Sequence, residues 1–242
     1  MPMNLTAPLD ARNFSLPPFA EACLDYADDT WVEAFDHPFV HALAEGELDA
    51  ERFKFYQMQD ARYLEAFADA ASLLSTRCPD PDDKLWFIDA ARLAIVVEGE
   101  LHEGYGEQLG YSPEDIRQLT LTPNNRAYQS HMIERAQRGT LVEAVASIAP
   151  CPWLYIELGQ RLEREMGAIP EDHPYAEWLA MYRDPEFNEY MDNLLERLQR
   201  FADAADKPAR TRAKTANRCR RSRRLSMYSL NSGSRYMASH SA

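Results

Sequence analysis

The chain has 242 residues, 45% of them apolar, which is enough for one sizeable core. Residues 1–206 carry 16 basic and 39 acidic side chains, a net charge of −23 that disfavours nucleic-acid phosphates as partners. No apolar run approaches the roughly 18 residues a membrane helix needs, and Met1 to Pro18 lack a signal-peptide pattern, so a cytoplasmic protein without a membrane partner is expected.

Residues 1–19 read as an N-terminal extension and 20–206 as one helical domain without internal repeats. From Leu48 to Cys78, Phe53, Tyr56, Tyr63, Phe67, Ala71 and Leu74 recur mostly three, four or seven apart, and Asp49 is placed to cap the start. A second long helix fits Asp82 to Gly110, with Trp86, Leu93, Val97 and Leu101 on one side. Shorter helices fit Asn125 to Gln137, Leu141 to Ile148, Trp153 to Met166, Ala176 to Met181 and Pro185 to Ala205. Breaks fall at Cys78-Pro79-Asp80-Pro81, at Gly110-Tyr111-Ser112-Pro113 and from Gly167 to Pro174. No run has the period of a strand, so the expected fold class is all-α. Residues 207–242 break the pattern, with ten Lys or Arg, seven Ser and no acid. They are expected to form a disordered basic tail, or to be the product of a changed reading frame, and not a packed closing helix. The four lysines of the whole chain, set against its carboxylates, suit a halophile-like surface kept soluble in high salt.

Three segments could carry chemistry. In Pro150-Cys151-Pro152-Trp153-Leu154-Tyr155, flanking prolines put Cys151 at or near a helix start, where backbone N–H groups favour a thiolate; a buried cysteine at a kink is the alternative. Cys23, Cys78 and Cys219 form no C-x-x-C pair with it or one another, so neither a zinc site nor a disulfide framework is expected. Asp60, Tyr63 and Phe67 share a helix face, and a buried carboxylate there needs a partner, either a ligand or a neighbouring helix. Arg62 lies about 200° around the helix from Asp60 and is not that partner. Tyr128 and His131 also share a face, and either could be an ordinary core residue. Glu98 and His102 have the i, i+4 spacing of a carboxylate–His metal helix, but no second such helix occurs, so no metal is expected.

Together these segments resemble the TenA/thiaminase II family. The resemblance runs through His37-Pro38-Phe39-Val40, Arg52 to Tyr56, Gln59-Asp60-x-x-Tyr63-Leu64, Glu98 to His102, Tyr128-x-Ser130-His131-Met132, Pro150-Cys151-x-Trp153-x-Tyr155-x-Glu157-x-Gly159, His173-Pro174-Tyr175 and Trp178 to Tyr182. It implies a single-domain helical bundle of the haem-oxygenase type, assembled as a homotetramer, that needs no cofactor or metal. It implies hydrolysis of an aminopyrimidine or thiamin at the methylene carbon, with release of the amine or thiazolium and formation of hydroxymethylpyrimidine. Cys151 would be the nucleophile and Tyr63 would raise its reactivity. Asp60 and Tyr155 would hold the aminopyrimidine, and Tyr128 and Tyr182 would line the pocket. The family's last helix also supplies a proton-donating Glu, which should fall near Arg223 to Ser226. The segment Arg221 to Leu230 has no acid, so the donor is either missing or replaced by another acid such as Glu157. A non-catalytic pyrimidine- or thiamin-binding protein and a metal-dependent oxidase on the same fold are the alternative readings.

Overall fold

The structure, a computed structural model, describes residues 3–27 and 29–217, and within these every side chain except those of 29 and 97–103. Twelve helices and no strand occur among the described residues. They are α1 (Pro18–Ala27), α2 (Asp29–Glu33), α3 (Pro38–Ala44), α4 (Ala50–Arg77), α5 (Pro81–Leu109), α6 (Pro113–Gln118), α7 (Pro123–Arg138), α8 (Leu141–Ile148), α9 (Pro150–Met166), α10 (Ala176–Met181), α11 (Pro185–Ala204) and α12 (Lys207–Asn217).

The helix starts follow one local rule. A capping side chain stands just before a proline in α3, α5, α6, α7 and α11, where the proline's missing N–H leaves nothing unsatisfied. Asp49 caps α4 by accepting from Glu51 N at 3.1 Å and Arg52 N at 3.2 Å. Thr140 and Glu143 form a capping box at α8. Helices α1, α2, α3 and α6 add to the elements expected from periodicity.

The long helices α4 and α5 pack antiparallel, and α7 and α8 lie against α4. Ala149 keeps helical dihedrals (φ −54°, ψ −38°), so α8 and α9 form one nearly continuous run, interrupted at Ala149, where Pro150 and Pro152 have no N–H to donate. By length and composition the run Leu141–Met166 could cross a membrane, but 83% of its most apolar window is buried inside the protein, as its central helix.

Two expected boundaries are corrected. The first residues are not an appendage, because Leu5 (1% exposed) and Phe14 (5%) belong to the core. Residue 207 does not begin a disordered tail, since α12 runs to Asn217 and packs on α8 and α1. Its buried stripe is Ala209, Ala213 and Ala216, a pattern too weakly apolar to stand out among arginines and lysines. Arg212 anchors α12 by donating to the buried Glu143 at 3.0 Å. Burial works against the Glu143 charge, yet the bonds from Arg212 and Thr140 hold its carboxyl below the ordinary glutamate range. The arginine cluster at 220–224 and the expected position of the family's Glu lie outside the described residues.

Ala213 is fully buried, so Ala213→Asp would force an unpaired charge under α12. A loss of about 2–4 kcal/mol in urea unfolding is expected, with amide exchange through 207–217 rising to unprotected rates.

Candidate active site

Two helices bring the candidate residues together. On α4, Tyr56, Asp60, Tyr63 and Phe67 recur four, three and four apart, so one face carries all of them. On α9, Cys151 and Tyr155 share a face one turn apart. Between these faces lies a narrow cavity of about 50 Å³, bordered also by α5, by Tyr182 just past α10 and by α11. Asp60, Tyr63, Tyr155 and Tyr182 form its floor and are between 0% and 7% exposed. Cys151, Leu93, Phe187 and Tyr190 are half-buried at its rim. A wider hollow of about 630 Å³, lined by Tyr111 and Arg117 among others, shares Leu64 and Ala94 with it.

Aromatic contacts fix the floor. Tyr155 stacks on Tyr182, with centroids 4.8 Å apart and planes at 18°, and its hydroxyl lies 3.0 Å from that of Tyr56. Tyr182 can come this close only because residue 159 is glycine: a Cβ there would lie 2.0 Å from the Tyr182 carbonyl oxygen. Tyr63 donates its hydroxyl to Met132 sulfur at 3.5 Å and stacks on Tyr128, with centroids 5.4 Å apart. Tyr128 is therefore placed behind Tyr63 and not on the cavity wall, with its own hydroxyl donated to the Ser147 carbonyl at 3.3 Å. Tyr111 stands near Asp60: burial pushes its phenol far above the ordinary tyrosine range, and the Asp60 charge adds to the rise. Arg62 donates to the Ile116 and Arg117 carbonyls and lies 3.3 Å from Glu65, away from the cavity.

The cysteines differ in setting. Burial pushes the Cys23 thiol up to about 12 and the Cys78 thiol up to about 11, so both are protonated at neutral pH. Cys151 is half-buried at the cavity rim. Because α9 continues α8 there, it sits at a proline-flanked junction and not at a free helix end, which removes much of the dipole advantage expected for it. No group of three or more metal-ligating side chains occurs among the described residues, and the side chains of Glu98 and His102 lie outside them. His131 faces the Ala216 carbonyl at 3.2 Å.

Glu157 is not a substitute acid for this cavity. It lies 200° around α9 from Tyr155, by two steps of about 100°, and has no exposed surface. It accepts from Arg161 at 2.6 Å, Arg12 at 3.2 Å and Trp31 Nε1 at 3.3 Å. Sequence spacing could not reveal this, because Arg12 and Trp31 come from far along the chain. Glu157→Gln would leave the buried Arg161 without its anion, and a loss of about 3–5 kcal/mol in denaturant unfolding is expected. Hydrolysis by the fraction that stays folded should be nearly normal. A selective loss of turnover at unchanged stability would contradict this assignment.

The TENA/THI-4/PQQC family profile matches residues 24–219, a span that includes α12. The aminopyrimidine aminohydrolase of Halalkalibacterium halodurans is 32% identical over 198 residues, which cover 81% of this chain and 88% of that one. A TenA homologue from P. horikoshii OT3 superposes with a TM-score of 0.75 at 27% identity, covering 88% of this chain and 97% of that chain. A domain from Shewanella denitrificans OS217 with a haem-oxygenase-like fold superposes at a TM-score of 0.66 and 11% identity, covering 94% and 98%. All-α architecture, haem-oxygenase-like topology and a match over most of the sequence agree: the chain belongs to the TENA/THI-4/PQQC family.

Proposed function

We propose that the chain is a thiamin-salvage hydrolase, acting on a 4-amino-2-methylpyrimidine whose methylene carbon bears an amine or a thiazolium, and releasing hydroxymethylpyrimidine. One observation carries this reading: a buried carboxylate, Asp60, and a half-buried thiol, Cys151, converge on one narrow aromatic cavity. The name of the Halalkalibacterium halodurans relative, aminopyrimidine aminohydrolase, is the same chemistry.

In this mechanism Asp60 and the Tyr155 hydroxyl hold the amino edge of the ring, and Tyr182 and Tyr63 close over it and exclude water. The Asp60 carboxyl polarises the pyrimidine, a poor electrophile on its own. The Cys151 thiolate adds to the ring, and the ring electrons then expel the leaving group from the methylene carbon, a thiazolium as the neutral thiazole or a protonated amine as the free amine. Water adds at that carbon, loses a proton to solvent, and the sulfur departs with its bonding pair. Tyr63 beside the thiol favours the attacking form. The working enzyme on this reading is a cytoplasmic homotetramer with a halophile-like surface. The lack of an acid from Arg221 to Leu230 favours one second reading, a pyrimidine-binding protein without turnover, which a hydrolysis assay separates from the first.

Asp60→Asn should leave the unfolding midpoint nearly unchanged and weaken aminopyrimidine affinity about ten- to a hundredfold, as expected for loss of one charged hydrogen bond. Unfolding of the variant with undiminished affinity in the folded fraction would return Asp60 to a purely structural role. Alkylation of a Cys219→Ser background should modify Cys151 well before Cys23 or Cys78. Equal rates for the three thiols would end the nucleophile assignment.

A further inference from the structure

The rim of the cavity is chemically unlike its floor. On α11, Phe187 and Tyr190 lie one turn apart and both reach the cavity. The Tyr190 ring rests on Trp86 of α5, with centroids 5.2 Å apart and planes at 31°. Trp86 in turn carries the Arg197 guanidinium 4.6 Å from its ring centroid. Arg197 is held within 3.1 Å of Asp83, whose side chain is 2% exposed. A chain of contacts therefore runs from a buried ion pair to the edge of the cavity and fixes a phenol ring there. Phe187 leans on Tyr182 at 6.1 Å, which continues the stack of the floor.

With the pyrimidine on the floor, as proposed, its leaving group would lie toward the half-buried rim. A leaving group that is already cationic departs as a neutral molecule. The electrons of the broken C–N bond return to nitrogen and cancel its charge, so no acid is needed. Among the described residues, Asp60 is the one carboxyl that lines the cavity, so a leaving group of this kind suits the chain. The face of an aromatic ring attracts a planar cation, and a chain of net charge −13 concentrates cations around it.

We propose that Tyr190, with Phe187, forms a subsite for a planar heteroaromatic cation and sets the preference for a thiazolium leaving group over an uncharged one. This inference rests on the hydrolase reading above. Equilibrium binding to the full chain carrying Cys151→Ser, which cannot turn over, tests it with three probes: thiamin, its uncharged thiophene analogue and hydroxymethylpyrimidine. Thiamin should bind about tenfold more tightly than the thiophene analogue. Adding Tyr190→Leu should erase that ratio and leave hydroxymethylpyrimidine affinity unchanged, while Tyr190→Phe, which keeps the ring, should preserve it. A ratio that survives Tyr190→Leu, or one that is absent in the parent while hydroxymethylpyrimidine still binds, overturns the subsite alone. An equal loss for all three probes on Tyr190→Leu assigns Tyr190 to the shape of the cavity and also overturns it. Failure of the parent to bind any of the three overturns the hydrolase reading instead.

Discussion

The central helix depends on a carboxylate with no exposed surface. The Glu157 carboxylate is buried where two guanidiniums and an indole N–H meet it. Those donors come from three places, one turn along α9, the N-terminal segment and α2, so satisfying one charge joins three parts of the chain. Arg161 then uses Nη1 on the carbonyls of Leu5 and Ala7, each at 2.7 Å, and Arg164 bonds those of Asn4, Ala7 and Pro8. The buried Leu5 carbonyl would otherwise be left unsatisfied against the helix. What read as an extension is thus the polar cover of one side of α9.

The opposite side of the same helix is free to build the cavity. Cys151, Tyr155 and Gly159 repeat at four-residue intervals and face α4 and α10, while Glu157, Arg161 and Arg164 face the N-terminal segment. Fixing one side fixes the other, because a rotation of α9 that moved Tyr155 would also break the Glu157 ion pairs. The floor has the same logic on a smaller scale. Tyr155 is held by stacking on Tyr182 and by its hydroxyl contact with Tyr56, and Tyr63 by stacking on Tyr128 behind it, so both floor rings are fixed by neighbours outside the substrate's place.

The α4 face and the α9 motif were legible in the sequence because both rest on local spacing. Asp60 and Tyr63 follow the helical period, and two prolines mark Cys151. The Asp49 cap of α4 was legible, but the caps before Pro38 and Pro113 went unread, since such short helices as α3 and α6 leave no period behind them. α12 escaped notice because its buried stripe is alanine. Tyr128 was found, but spacing on α7 could not tell a wall residue from one that backs Tyr63. The role of Glu157 depended on Arg12, 145 residues away, and no local pattern encodes such a pairing. Phe187 and Tyr190 read as part of an ordinary amphipathic helix, since only the packing of α11 against α5 shows that they border a cavity.

Everything proposed about function requires the aminopyrimidine to lie between α4 and α9. A crystal structure of the full chain with bound hydroxymethylpyrimidine tests that most directly. The account requires the amino edge of the ring against the Asp60 carboxylate, the ring beside Tyr182 and the Cys151 sulfur over a ring carbon. A pyrimidine seated instead in the wider hollow beside Tyr111 and Arg117, out of reach of Cys151, would contradict it.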